Sequence, residues 1–260
     1  MPAARRPTPR KARQKAAARP RTLAAEAIAT LFARLAALDP QPRSELHWRN
    51  PFELLVAVVL SAQATDAGVN KVTPRLFAAA PTPAAMLALG ETRIAELIGS
   101  LGLFRSKARH LAGLSRLLLE QHHGEVPRSA DALQALPGVG RKTANVVLNV
   151  VFGEPTIAVD THIFRVANRT GLAPGRDVLA VERGLLARVP PAFRLHAHHW
   201  LILHGRYVCK ARKPDCAQCV LRDLCLWPDK PADNHAAAKT DGGPQPAVAK
   251  RRSPRIRTGS

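Results

Sequence analysis

Apolar side chains recur at helical spacing through most of the middle of the chain. Ile28, Leu31, Phe32, Leu35 and Leu38 form one stripe, which stops at Asp39-Pro40. Asn50-Pro51-Phe52-Glu53 supplies a capping residue, a proline at the first helical position and an acid in the first turn. The run that follows, Leu54–Leu60, is apolar all round and predicts a buried helix. Thr82-Pro83 opens another helix in the same way. Between Ser106 and His122 apolar residues fall at 108, 111, 114, 117 and 118, and Gly124 can end that helix. Ser129 caps a short helix ending at Leu136-Pro137, and Arg141–Val151 forms the next. Asp160 and Asp177 are placed to cap 161–169 and 178–188, and Phe193–His204 is the last long helix. No alternating strand pattern of useful length is present; Thr156–Val159 is extended but too short for a sheet, and no internal repeat occurs. The pattern predicts an all-α protein.

Charge narrows the function. The 260 residues carry 39 Lys and Arg against 19 Asp and Glu, a formal charge of +20. Such an excess repels itself unless a polyanion neutralises it, so it argues for a nucleic-acid partner and against a free small-molecule enzyme. Residues 1–21 contribute +8 and residues 230–260 contribute +5, both in Pro-, Ala- and Arg-rich stretches without apolar periodicity, read as disordered basic tails. The remaining +7 belongs to the globular part. Aromatic residues are only 4%, which disfavours a single-strand binder built on stacked bases. The longest apolar run has seven residues, against roughly 20 for a membrane span. The charged N-terminus is followed by no signal-peptide core. No membrane association is expected.

All four cysteines lie in one loop, spaced Cys209-x6-Cys216-x2-Cys219-x5-Cys225. Without a secretory signal, this density reads as a metal site rather than disulfides. Spacing leaves the metal open: zinc prefers two short Cys pairs, and iron–sulfur clusters accept varied spacings. Lys210, Arg212 and Lys213 lie between the first two cysteines, so a metal would staple a basic loop suited to phosphate contact.

Leu136-Pro137-Gly138-Val139-Gly140-Arg141-Lys142-Thr143 joins two predicted helices. Its glycines permit a tight turn, and the backbone of Gly138, Val139, Gly140 and Arg141 can face one anion at a helix start. Lys142 sits in the first helical turn, where the helix dipole disfavours a cation. A lysine so placed can serve as a nucleophilic amine, or as a plain phosphate-binding cation; position alone does not choose.

Taken together, these residues resemble the endonuclease III family of helix-hairpin-helix DNA glycosylases. The resemblance covers about residues 22–229. It rests on Leu60-Ser-Ala-Gln-Ala-Thr-Asp66, Leu136–Thr143, Thr156-Ile-Ala-Val-Asp-Thr-His162, His199-Trp-Leu-Ile-Leu-His-Gly-Arg206 and the cysteine spacing. It implies a [4Fe–4S] cluster on Cys209, Cys216, Cys219 and Cys225, and two helical subdomains flanking a cleft: residues 44–154 as a six-helix unit, and 22–43 with 155–229 as the cluster unit. Lys142 matches the family's catalytic lysine, and Asp160 its catalytic aspartate. Gln63 matches the residue that fills the gap left by a flipped nucleotide, and Leu103 the residue wedged into the opposite strand. The implied activity is bifunctional: removal of oxidised pyrimidines from damaged double-stranded DNA and β-elimination 3′ to the abasic site through a lysine Schiff base, by a monomer. Gln134 departs from the pattern, standing where a relative carries an acid, which alters any proton network routed through that position.

Two rival readings are weaker. An adenine glycosylase of the same superfamily has no lysine at the Lys142 position and adds a large C-terminal domain. A catalytically silent DNA-binding module would not need Lys142 and Asp160 together. His196, His198, His199 and His204 share one helix without an H-E-x-x-H pattern, and read as packing or phosphate-contact residues.

Overall fold

The computed structural model describes residues 21–230. The tails expected to be disordered, 1–21 and 230–260, lie outside it except for Arg21 and Lys230. In chain order the helices are α1 (Ala25–Leu38), α2 (Pro51–Leu60), α3 (Asp66–Ala79), α4 (Pro83–Leu97), α5 (Phe104–His122), α6 (Ala130–Ala135), α7 (Arg141–Phe152), α8 (Thr161–Thr170), α9 (Val178–Arg188) and α10 (Arg194–Tyr207). A single 3-10 turn, Pro191–Phe193, leads into α10, and no strand occurs among the described residues.

The expected caps form. Asn50 accepts the amide of Glu53 at 2.9 Å, Thr82 that of Ala85 at 3.2 Å, and Asp177 that of Ala180 at 2.8 Å. Each satisfies a helix-start donor that would otherwise lack a partner, worth about 1 kcal/mol. Helix α5 begins two residues before the expected Ser106, and His123 (φ 53°) with Gly124 (φ 80°) turns the chain out of it.

Helix α3 was not legible in the sequence. Pro74 stands in its interior, where it removes a hydrogen bond and costs about 3 kcal/mol. Packing overrides that cost: Val69, Val72, Leu76 and Phe77 are all buried, each worth roughly 1.5–3 kcal/mol.

The helices build two hydrophobic cores. Helices α2–α7 enclose one, running from Leu46 to Leu148, with α2 at its centre: nine of that helix's ten residues are buried. Helices α1 and α8–α10 enclose the other, which joins Leu23–Leu35 to Ile157–Leu221. Phe32, Phe193 and Trp200 pack there with ring centroids 5.9–6.3 Å apart. Helix α10 crosses α8 so closely that a Cβ on Gly205 would lie 2.8 Å from that of His162. Polar bonds tie the two cores together. Asn149 Nδ2 donates to the Leu195 carbonyl at 3.0 Å; within the second core, Trp200 Nε1 donates to the Asp39 carbonyl at 2.8 Å and ties α10 to the end of α1. Arg141 forks onto the buried carboxylate of Glu182, at 2.6 Å for its Nη2.

Candidate active site

A cavity of about 160 Å³ lies between the two cores. Its walls are the 43–46 segment, the end of α2 through Gln63, the first turns of α7 with Lys142, and the face of α10 bearing His198, His199 and Arg206. Cavities of roughly 150 Å³ hold a single six-membered ring such as benzene, so the space can admit one pyrimidine ring. Arg206 reaches across to the carboxylates of Glu45 and Asp66, and Tyr207 Oη donates to Glu45. These groups span the two cores at the cavity. Sequence reading did not single them out, although Asp66 and Arg206 end two of the motifs quoted above.

The hairpin is built largely as expected. Gly138 turns with φ 78°, and a Cβ there would lie 2.9 Å from His110. Gly140 has an ordinary extended φ of −91°, and a Cβ there would meet nothing within 4 Å. Its backbone does not demand glycine; what it leaves is open space in front of the start of α7. That helix has no side-chain cap, so its first amides are free to bind an anion.

Two of the expected phosphate-contact residues already have partners within the protein. Val139 is 5% exposed and its amide donates to the Leu136 carbonyl at 3.1 Å, holding the turn. The Arg141 guanidinium is committed to Glu182, which raises its pKa through hydrogen bonding and charge. That pairing also neutralises the like charge beside Lys142.

Lys142 is exposed at the cavity wall. Asp160 caps α8: its Oδ1 accepts the amides of His162 at 2.9 Å and Ile163 at 2.8 Å, and Oδ2 takes no part in the cap. Asp160 does not line the cavity. Gln63 does, and it is exposed with φ 54°. Leu103 stands apart from the cavity before α5, 61% exposed with φ 59°. A non-glycine residue in the left-handed region costs about 1 kcal/mol or more, and Gln63 and Leu103 share that conformation with His123 and Lys213. Gln134 folds back on its own helix, its amide donating to the Ala130 carbonyl at 3.0 Å.

The four cysteines line a second cavity with His204 and Trp227. None forms a disulfide. Burial first, and the mutual charge of the four cysteines second, push the thiols of Cys216, Cys219 and Cys225 up, that of Cys219 to about 11. No three His, Cys, Asp or Glu side chains among the described residues converge on a single ion. Four cysteine sulfurs around one cavity suit an iron–sulfur cluster held by four thiolates. Helix α8 supports the loop, a role the sequence did not disclose. Arg165 donates to the Cys209 carbonyl at 2.8 Å, and Arg169 to the Lys210 and Ala211 carbonyls at 2.8 and 3.1 Å while stacking on Trp227. Lys210, Arg212 and Lys213 remain exposed outside this clamp.

The histidines of α10 are mostly buried. Burial pushes His198 down to about 3, helped by the charges of His199 and Lys142, and pushes His199 down to about 4. Both rings are neutral when folded and take up protons on unfolding at mildly acid pH. Their stabilisation is complete above the unfolded value near 6.5 and is lost as pH falls toward 4 and then 3. With two protons taken up, unfolding free energy falls at up to about 2.7 kcal/mol per pH unit. Urea titrations between pH 7 and 5 measure this, and a flat profile would contradict it.

The comparisons agree with this geometry. Residues 56–191 match the family model of the HhH-GPD superfamily base excision DNA repair protein, and residues 209–225 match the iron–sulfur binding domain of endonuclease III. Endonuclease III of Treponema pallidum (strain Nichols) is 58% identical over 205 residues, covering 79% of this chain and 97% of that protein. That of Escherichia coli (strain K12) is 58% identical over 200 residues, covering 77% and 95%. A solved trapped endonuclease III–DNA covalent intermediate is 48% identical, with a TM-score of 0.75 over 79% of this chain and 97% of that one. No helix among the described residues is long and apolar enough to cross a membrane. With the cleft, the hairpin and the [4Fe–4S] loop all in place, the chain belongs to the endonuclease III family of helix-hairpin-helix DNA glycosylases and abasic-site lyases of base-excision repair.

Proposed function

We propose that Lys142 is the nucleophile of a bifunctional glycosylase acting on oxidised or ring-saturated pyrimidines in duplex DNA. The observation that carries this reading is the placement of Lys142 on the wall of a cavity that admits one pyrimidine ring, in the first turn of the helix that follows the hairpin. Chemistry on a stacked base requires taking its nucleotide out of the helix. Gln63 fills the vacated space and Leu103 wedges the opposite strand. Both are exposed and held in strained backbone conformations. Gly138, Gly140 and the first amides of α7 hold the phosphates. Lys210, Arg212 and Lys213 add contacts outside them, and the cluster, when bound, fixes the loop that carries these three cations.

The Lys142 amine forms a bond to C1′ of the sugar, and the base leaves with the electron pair of the broken glycosidic bond. Loss of a proton from nitrogen and opening of the sugar ring give the Schiff base. Removal of a C2′ proton then expels the 3′ phosphate. Asp160 stabilises the cationic sugar through the Oδ2 that its cap leaves over. Residues 44–154 form the hairpin unit, and residues 22–43 with 155–229 the cluster unit, in keeping with the two cores. All of these groups come from one chain, so the reading is of a monomer, working on chromosomal DNA in the bacterial nucleoid.

The test is borohydride reduction on a duplex with one thymine glycol or one abasic site, followed by mass mapping of the adduct. The expected result is a covalent complex mapping to the peptide that contains Lys142. Binding without any adduct would instead favour a monofunctional glycosylase or a silent binder.

A further inference from the structure

Helix α10 forms a wall of both cavities. Its residues His198, His199, Leu203 and Arg206 line the one that holds Lys142, and His204 lines the one that holds the four cysteines. His204 is 6% exposed, and its Nε2 lies 3.7 Å from the Sγ of Cys219. Its backbone carbonyl accepts the amide of Cys209 at 2.8 Å. One residue of α10 thus holds two of the four cysteines, one through its backbone and one through its ring. Between a thiol and an imidazole, either partner can donate. A sulfur bound to iron is a thiolate and has no proton, so with a cluster in place only the ring can donate. The partner a ring nitrogen meets decides which nitrogen carries the proton, and here that nitrogen is Nε2.

We propose that His204 is a positioning residue for the iron–sulfur cluster and tunes its reduction potential, donating Nε2–H to the Cys219 thiolate. Hydrogen bonds to the sulfurs are one of the levers that set cluster potentials. A donor draws negative charge from the thiolate and favours the form of the cluster with more electrons, so this bond raises the potential. The donor comes from outside the loop that carries the cysteines, on the helix whose other residues line the Lys142 cavity. Arg169 supplies a second donor, from α8: its Nη1 lies 3.7 Å from the Sγ of Cys209. A guanidinium has no acceptor and stays protonated, so that contact is N–H···S in every state. Both helices of the second core that reach the loop therefore act on cluster sulfurs as well as on loop carbonyls.

The test compares midpoint potentials of the full-length, cluster-loaded protein by voltammetry, for wild type, His204→Leu and His204→Gln, with iron content measured on each sample. His204→Leu keeps an apolar side chain in the site and removes the donor. Its midpoint is expected to fall, the one-electron equilibrium moving roughly three- to tenfold toward the oxidised form, or about 28 to 59 mV. His204→Gln offers an amide N–H in place of the ring and is expected to recover part of the shift. An unchanged midpoint in His204→Leu with its iron intact overturns the proposal. Equal shifts in both variants also overturn it, because they would reflect packing or water entry rather than a lost donor. If neither variant retains iron, wild type decides alone. Protein carrying 15N-histidine, with its cluster in a paramagnetic state, is expected to show hyperfine coupling to a histidine nitrogen, transmitted through the N–H···S bond. The absence of such coupling in the loaded wild type overturns the proposal.

Discussion

Lys142→Ala is expected to leave DNA binding nearly intact and to remove the chemistry. The borohydride adduct disappears, and base release and strand cleavage fall by on the order of 10⁴-fold or more, as when a covalent nucleophile is deleted. The lysine is exposed at the start of α7, so its truncation opens no hole in either core. Duplex affinity changes by less than about ten-fold, since one cation among many phosphate contacts is lost. Single-turnover kinetics beside a binding isotherm separate these outcomes. A trapped adduct in the variant would move the nucleophile elsewhere, and a parallel collapse of binding would make Lys142 a phosphate contact. Glu182 already takes the charge of neighbouring Arg141. The hairpin's binding capacity then rests on backbone amides, which this substitution leaves in place.

The second large effect is expected at the cluster loop. Cys219→Ser leaves the loop without one thiolate, and the purified protein is expected to be colourless with iron well below stoichiometric. Free energies of metal–thiolate loops are on the order of 10 kcal/mol, and in such loops binding energy is folding energy. At roughly 2–4 °C per kcal/mol for a domain of this size, the loss of even a fraction lowers Tm by at least about 10 °C. Cys219 and Cys209 also pack against the second core, and Arg169 ties the loop to α8, so the damage reaches beyond residues 209–225. Iron analysis and calorimetry check this together. A colourless variant with unchanged Tm would show that the clamp of Arg165 and Arg169 holds the loop without its cluster.

The sequence determined what depends on neighbours a few residues away. Helix starts at Asn50, Thr82, Ser129, Asp160 and Asp177 were legible because a cap acts across two or three residues. The buried character of α2 was legible from an unbroken apolar run. The hairpin glycines and the cysteine loop were legible too, since each lies in a short contiguous pattern. Only the tertiary structure decided which of these groups meet, and which are occupied already. Helix α3 exists because the core accepts Val69, Val72, Leu76 and Phe77 despite Pro74, a balance invisible to local propensity. Arg141 is spent on Glu182, 41 positions away, and Val139 turns its side chain inward. Arg206 finds Asp66 across 140 positions, and the 160 Å³ cavity appears only where the two cores face each other. The approach of His204 to Cys219, 15 positions on, belongs to the same category, because it follows from how α10 and the cysteine loop pack. Caps and periodicity are short-range and survive as pattern, whereas pairing, burial and cavity shape follow from contacts between residues that only the folded chain brings together.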